Sequence, residues 1–427
     1  MIVLVLVLWG ALVDARASDP EEGDADDSVD IVEPRPEAWQ RVGYGFGGLP
    51  AISYNSDEGL GLGAIGNLFR YDGVTAPYRW SLDLQFFATT KNVHHHRLIY
   101  DFLQVGGLPL RVFGRVKLEA SRADNYCGLG DRVTCDPAVA ERMASRLGLT
   151  GDERAAYVRR YFKQRYVMPY GTVNARWMLW DKPHRFEVFG GWRGNWFMPG
   201  DLGIRQPFAD TLYVEHFPDG EQGFVSVVQA GVMLDNRRNE PAPYDGYWIE
   251  ASVRGSSRYW GSASDWEYFG VNTTLRGYLP LTRNDGLLVF ADQLLFDGIV
   301  GDTNTQDLTW VGGSQMLWMG GGEDSLRGVR LRRFRGRVKG LHQAELRWRF
   351  ARTRIVKIPF DFGLLAFHDT GITALEWSDV GHVRPYWGTG GGLRITMDQS
   401  FVVRADVGVS PWENWSPGVY ISLGNLF

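Results

Sequence analysis

Charge on one face and hydrocarbon on the other, repeated at period two, is the feature that most constrains this chain. In Leu110–Leu118 the residues Leu110, Val112, Val116 and Leu118 oppose Arg111, Arg115 and Lys117. Trp80, Leu82, Leu84 and Phe86 alternate with Ser81, Asp83 and Gln85, and Phe186, Val188 and Trp192 oppose Glu187 and Arg193. The same pattern sets Ala344, Leu346, Trp348 and Phe350 against Glu345, Arg347 and Arg349, and Phe401, Val403, Ala405 and Val407 against Arg404 and Asp406. Successive side chains of a strand point to opposite faces, so each segment is a strand with one ionised and one oily face. Lipid outside and a polar lumen within satisfy that pattern. So does a soluble sandwich with its charges outward, and periodicity alone does not separate the two.

Connection lengths separate them. The pattern divides the chain into about sixteen strands: 44–54, 59–70, 79–90, 95–105, 109–120, 165–180, 185–199, 222–236, 246–260, 264–281, 286–300, 338–351, 355–368, 385–397, 400–409 and 416–427. The long gaps, 121–164, 200–221, 301–337 and 369–384, all follow odd-numbered strands, and the gaps after even-numbered strands are short. Long loops on one rim and short turns on the other are the asymmetry of an outer-membrane barrel, and both termini then lie on the periplasmic side. The 17 tryptophans and 18 tyrosines suit aromatic girdles at the membrane edges. Beyond the N-terminus no run of 18 apolar residues exists, which excludes a helical membrane protein. The expected fold is therefore all-β, a transmembrane antiparallel barrel of residues 41–427.

The N-terminus fits export. Ile2–Val13 is an apolar core and Ala15-Arg16-Ala17 a small-residue cleavage site, so 1–17 is expected to be a signal peptide. From Ser18 to Glu37 there are nine acidic residues and one arginine, with prolines at 20, 34 and 36, so 18–40 is expected to be a disordered acidic periplasmic leader. From Ala38 onward 43 basic and 40 acidic residues remain, a nearly neutral barrel. At the other end the chain closes on Phe427 with Leu423 and Ile421 in apolar alternation before it, interrupted by Asn425. This ending resembles the signal that outer-membrane barrels present to the barrel assembly machinery.

The most informative stretch runs from Gly320 to Gly371. It holds a glycine-rich turn, Gly320-Gly321-Gly322, then Leu326-Arg327-Gly328-Val329, then Arg330, Arg332, Arg333, Arg335 and Arg337, and it ends Phe367-His368-Asp369-Thr370-Gly371. With Asp235-Asn236-Arg237-Arg238-Asn239, Pro243 and Gly246, these motifs resemble the bacterial surface antigen family, the outer-membrane assembly-factor superfamily of BamA, TamA and the two-partner secretion transporters. Valine stands at 329 where that family has an aromatic residue. The resemblance covers roughly residues 225–427. It implies a long sixth extracellular loop folded into the lumen, where Arg327, followed by Gly328, pairs with Asp369 of the Phe-x-Asp-x-Gly end at Gly371, with Glu345 nearby. It also implies help in inserting or translocating polypeptide, or lipid, through a weak seam between the first and last strands. The short leader holds no POTRA domain, so a separately encoded periplasmic protein is the expected partner, alongside outer-membrane lipids and lipopolysaccharide.

Other residues are weighed against plainer roles. Cys127 and Cys135, the only cysteines, are a disulfide candidate in the loop 121–164. Asp136-Pro137 and Thr150-x-x-Glu153 predict a small helical insertion there. His94-His95-His96 reads as solvated loop rather than metal site, and Gly43-x-Gly45-x-Gly47 as a bent first strand rather than a dinucleotide turn. The arginine run lacks a helical face or aromatic platform, so lipopolysaccharide phosphates or lumen carboxylates are expected partners rather than nucleic acid. No metal or cofactor is expected. Two other classes stay open: a passive or gated pore, and a membrane hydrolase using His342 or His368, although no G-x-S-x-G elbow occurs.

Overall fold

A computed structural model describes residues 42–75, 78–200, 210–238, 240, 242–263, 265–283, 286–315, 317–355, 358–397, 401–423 and 425–427. The expected signal peptide and acidic leader lie outside the described residues. Sixteen antiparallel strands close into one barrel. In chain order they are β1 Val42–Asn55, β2 Gly59–Asp72, β3 Trp80–Thr89, β4 Val93–Phe102, β5 Leu110–Asn125, β6 Lys163–Trp180, β7 Arg185–Pro199 and β8 Gly223–Asp235. They continue as β9 Gly246–Ser256, β10 Tyr268–Pro280, β11 Leu288–Gly301, β12 Val338–Ile355, β13 Ile358–Ala374, β14 Tyr386–Met397, β15 Phe401–Val409 and β16 Gly418–Leu423. Among the described residues no helix is long and apolar enough to cross a membrane.

The two faces of the wall separate by chemistry as the alternation requires. On β10, Asn272, Thr274 and Arg276 are buried in the lumen while Phe269 and Leu275 are exposed outside. On β12, Lys339, Gln343 and Glu345 point inward and Leu346, Trp348 and Phe350 outward. An oily exterior around a charged, packed interior is the inverse of a soluble sandwich.

Two long loops, after β5 and after β11, meet where Gly130 N donates to Arg335 O at 2.7 Å. The loop between β5 and β6 carries α1 (Pro137–Arg146) and α2 (Gly151–Arg160), fastened by a Cys127–Cys135 disulfide with Cα atoms 5.1 Å apart. Asp136 caps α1, its carboxylate accepting from Ala138 N at 2.9 Å with Pro137 following. Thr150 makes no side-chain cap, so the expected capping box at α2 does not form. Acidic Asp152 and Glu153 in the first turn of α2 and basic Arg159 and Arg160 in its last suit the helix dipole.

Several strand ends depart from the sequence reading, three of them at candidate residues. β13 continues to Ala374, so Asp369 sits inside the strand rather than closing it, and the following loop is shorter than expected. Continued pairing with β12, up to Ala374 opposite Val338, extends it. His94, His95 and His96 lie in β4 and not in a loop, because β4 pairs through them with β5. β16 ends at Leu423, and Phe427 leaves the sheet.

Candidate functional site: a locked loop beside a short seam

The sixth loop, between β11 and β12, folds inward as a compact body held by apolar packing. Leu326, Val329 and Phe334 are fully buried with Leu295, Leu341 and Tyr386 of the wall. Phe334 stacks on Tyr386 with ring centres 3.9 Å apart. Two glycines permit this approach. Gly328 has φ +91°, and a Cβ there would lie 2.8 Å from the Val409 backbone; at Gly371 a Cβ would meet the Tyr386 ring at 2.4 Å. Val329 fills its pocket without an aromatic ring.

At the tip, Arg327 enters a cage of three carboxylates. Its Nε donates to Asp369 Oδ2 at 2.8 Å and its Nη2 to Asp369 Oδ1 at 2.9 Å, a bidentate pair. The Arg327 backbone N–H adds a third bond to Oδ2 at 3.1 Å. Nη1 donates to Glu345 Oε1 at 2.7 Å and Asp406 Oδ2 at 3.3 Å, while the guanidinium carbon lies 3.6 Å from the centre of the Phe367 ring. Arg327 and Asp369 are both 0% exposed. Two further guanidinium groups balance the charge: Arg347 on Glu345 at 2.7 Å and Arg394 on Asp406 at 2.5 Å. Three cations thus face three anions, which is what allows so much charge to be buried.

The rest of the arginine run meets carboxylates too. Arg332 bonds Glu119 at 2.6 Å and Asp124 at 2.9 Å, Arg335 bonds Asp124 at 3.0 Å, and Arg330 and Arg333 both meet Glu413. Arg337 pairs with Asp302 and Glu376 at the rim. The loop is therefore sewn to β5 and to the segment after β15.

The seam contrasts with this. β1 pairs with β2 along its whole length, from Val42 opposite Asp72 to Asn55 opposite Gly59. Among the described residues, its register with β16 is two pairs, Tyr54 opposite Ile421 and Asn55 opposite Tyr420. Ser56 adds two bonds to Val419 at the same end of the two strands. Leu423 pairs with Val403. Phe427 is buried against Tyr278, Val289 and Ala291, and its carbonyl accepts from Arg347 at 3.1 Å.

The locked loop reaches both sides of the seam. Gly328 N donates to the Tyr420 hydroxyl of β16 at 3.0 Å, and Leu331 N donates to Asp57 Oδ2 in the β1–β2 turn at 2.9 Å. Asp406, Tyr420 and Asp57 were missed as partners from the sequence. Asp406 was legible as lumen-facing, but nothing local pairs it with a residue 79 positions away.

The remaining candidates separate. Arg237 pairs with Asp235 at 2.8 Å in the β8–β9 connection, and Asn239 lies outside the described residues. His95 faces the lumen, 3.3 Å from Glu58, whereas His94 and His96 point the other way. His342 and His368 face outward, away from the cage.

No family model matches the chain, and no curated protein matches it. Solved structures do. BamA from Haemophilus ducreyi lacking POTRA domains 1–3 aligns with TM-score 0.51 and 13% identity over 90% of this chain and 70% of that one. CdiB from Escherichia coli aligns with TM-score 0.55 and 11% identity over 89% of this chain, which spans 62% of that CdiB. Chains this divergent share a fold rather than a demonstrated activity. In architecture, then, this protein is a sixteen-strand barrel of the BamA and CdiB type.

Proposed function

We propose that the protein is an integral barrel of the bacterial outer membrane that assists insertion or translocation of polypeptide, or of lipid, by opening between β1 and β16. It is not an enzyme in this reading. A separately encoded periplasmic protein delivers the cargo, and outer-membrane lipids and lipopolysaccharide surround the wall. The barrel assembly machinery inserts the protein itself, reading the ending at Ile421, Leu423 and Phe427.

The observation that carries the proposal is the seam. Below Ser53 the β1 edge has β2 on one side and no registered partner on the other among the described residues. Unpaired backbone groups are costly in hydrocarbon, so this edge is a template for an incoming strand. Docking of the sixth loop sets the resting state, because its bonds to Tyr420 and Asp57 clamp the extracellular end of both strands. In this scheme Arg327, Glu345 and Asp369 hold the clamp. The filled lumen argues against a passive pore, which would give large steady currents in planar bilayers where this reading gives small ones.

A Tyr54→Cys/Ile421→Cys pair tests it. With the disulfide formed, liposomes carrying the protein should no longer accelerate insertion of an outer-membrane barrel polypeptide, and reductant should restore the effect. Equal acceleration in the oxidised and reduced states would overturn the proposal.

A further inference from the structure

The outer wall of a membrane barrel should be hydrocarbon, and over β11–β13 it is not. Asp292 on β11 and His342 on β12 point outward, with Asp292 Oδ1 and His342 Nε2 2.8 Å apart and side chains 38% and 45% exposed. On β13, His368 is exposed and its Nε2 lies 3.2 Å from the Thr370 hydroxyl. Register makes these one patch. His342 stands opposite Leu294 and Thr370, while Ala344 stands opposite Asp292 and His368. Trp387 on β14 borders the patch, its ring centre 5.6 Å from that of His368.

The patch lies inside the apolar band. Toward the periplasm the same face carries Phe290, Leu346 and Trp348; toward the outside it carries Phe296, whose ring is 6.1 Å from that of Trp377. Lipid tails offer no partner to a carboxylate or an imidazole, and ionisable groups at membrane depth are found facing protein or water. Leu294 stands outward beside His342, and the outward residues of the two next strands are small: Gly340 and Ala344 on β12 and Ala366 on β13. Small residues let a second wall approach closely, and polar side chains then bond across it.

We propose that this face receives a second copy of the chain within the membrane. Both copies insert with the same orientation, so their two-fold axis runs along the membrane normal. An axis facing β12 sets the β11 side of one copy, with Asp292, against the β13 side of the other, with His368 and Thr370. An acceptor meets donors twice, once on each side of the axis. A patch holding only cations or only anions would repel its own image; this one is complementary to it. The inference rests on the membrane placement of the barrel and not on what the seam does.

Site-specific crosslinking of the full chain in outer membranes tests it, with Cys127 and Cys135 left bonded. Ala344→Cys should give an oxidised dimer at least tenfold more abundant than Leu98→Cys, which sits outward on β4, eight strands around the barrel. Adding Asp292→Leu and His368→Leu should lower the Ala344→Cys dimer at least tenfold, while the heat-induced gel shift that reports a folded barrel stays unchanged. Equal crosslinking at positions 344 and 98, crosslinking of position 344 to a different protein alone, or a dimer yield unmoved by the leucine substitutions would overturn the proposal.

Discussion

Two regions of this barrel are built by opposite rules. Around Arg327, strands are fully zipped, with β12 and β13 paired from Val338 opposite Ala374 to Ile355 opposite Ile358, and every buried charge has a counter-charge. At the seam, fourteen-residue β1 faces six-residue β16 and, among the described residues, shares two registered pairs with it. The difference teaches where the molecule keeps its shape and where it gives way. Stability is not uniform across a fold, and elements that move are drawn from its weakest part. The two regions touch at Tyr420 and Asp57, which is where the proposed scheme has the docked loop hold the seam.

Breaking the lock has the largest expected effect. Arg327→Ala leaves Asp369 and Glu345 buried without their main partner and should destabilise the docked loop by about 3–5 kcal/mol. Limited proteolysis should then cut within 302–337, and the seam should become more exchangeable. A protease-resistant loop in this variant would remove the lock from the account. Cys127→Ser comes next. Opening that short loop should cost about 2–3 kcal/mol, confined to the β5–β6 loop with its two helices, and be read as faster cleavage within 126–162 while the seam is unchanged. Loss of seam protection there would blur the comparison.

Tyr420→Phe is a finer probe because it spares the cage. It removes the hydroxyl that accepts from Gly328 N and should weaken the clamp by about 0.5–1.5 kcal/mol, seen as faster amide exchange at the extracellular end of β16 with the loop still docked. The last probe is a pH dependence at Glu323 in the loop. Desolvation, then the neighbouring Asp324, pushes its carboxyl up to about 8, with Arg404 opposing. A carboxyl whose pKa is higher docked than released binds more protons docked. Docking is therefore strongest below the ordinary carboxylate range and weakens as pH rises through about 8. Glu323→Gln should flatten that dependence in the same proteolysis assay; an unchanged slope would assign it elsewhere.

Much of the fold was legible because membrane and lumen impose opposite demands on alternate residues, and segments such as Leu110–Leu118 display both. The lock was legible in part. Arg327, Glu345 and Asp369 could be named from motifs, but Asp406 and Tyr420 come from strands 79 and 92 residues distant, and only barrel closure brings them to the loop. Thr150 looked like a helix cap, yet its side chain makes no cap bond in the folded loop. Phe427 looked like the end of a strand; pocket burial against Tyr278 draws it inward instead. His342 and His368 were read as single residues, and their meaning depends on a register that no local pattern reports.

The central claim is that a clamped loop holds shut an otherwise unzipped edge. Hydrogen–deuterium exchange of the full protein in a lipid bilayer tests it most directly, comparing β1 with β12 before and after Arg327→Ala. Amides of Val42–Ser53 should exchange much faster than those of Val338–Phe350, and the gap should widen in the variant. Equal, slow exchange in both strands, unmoved by the substitution, would contradict it.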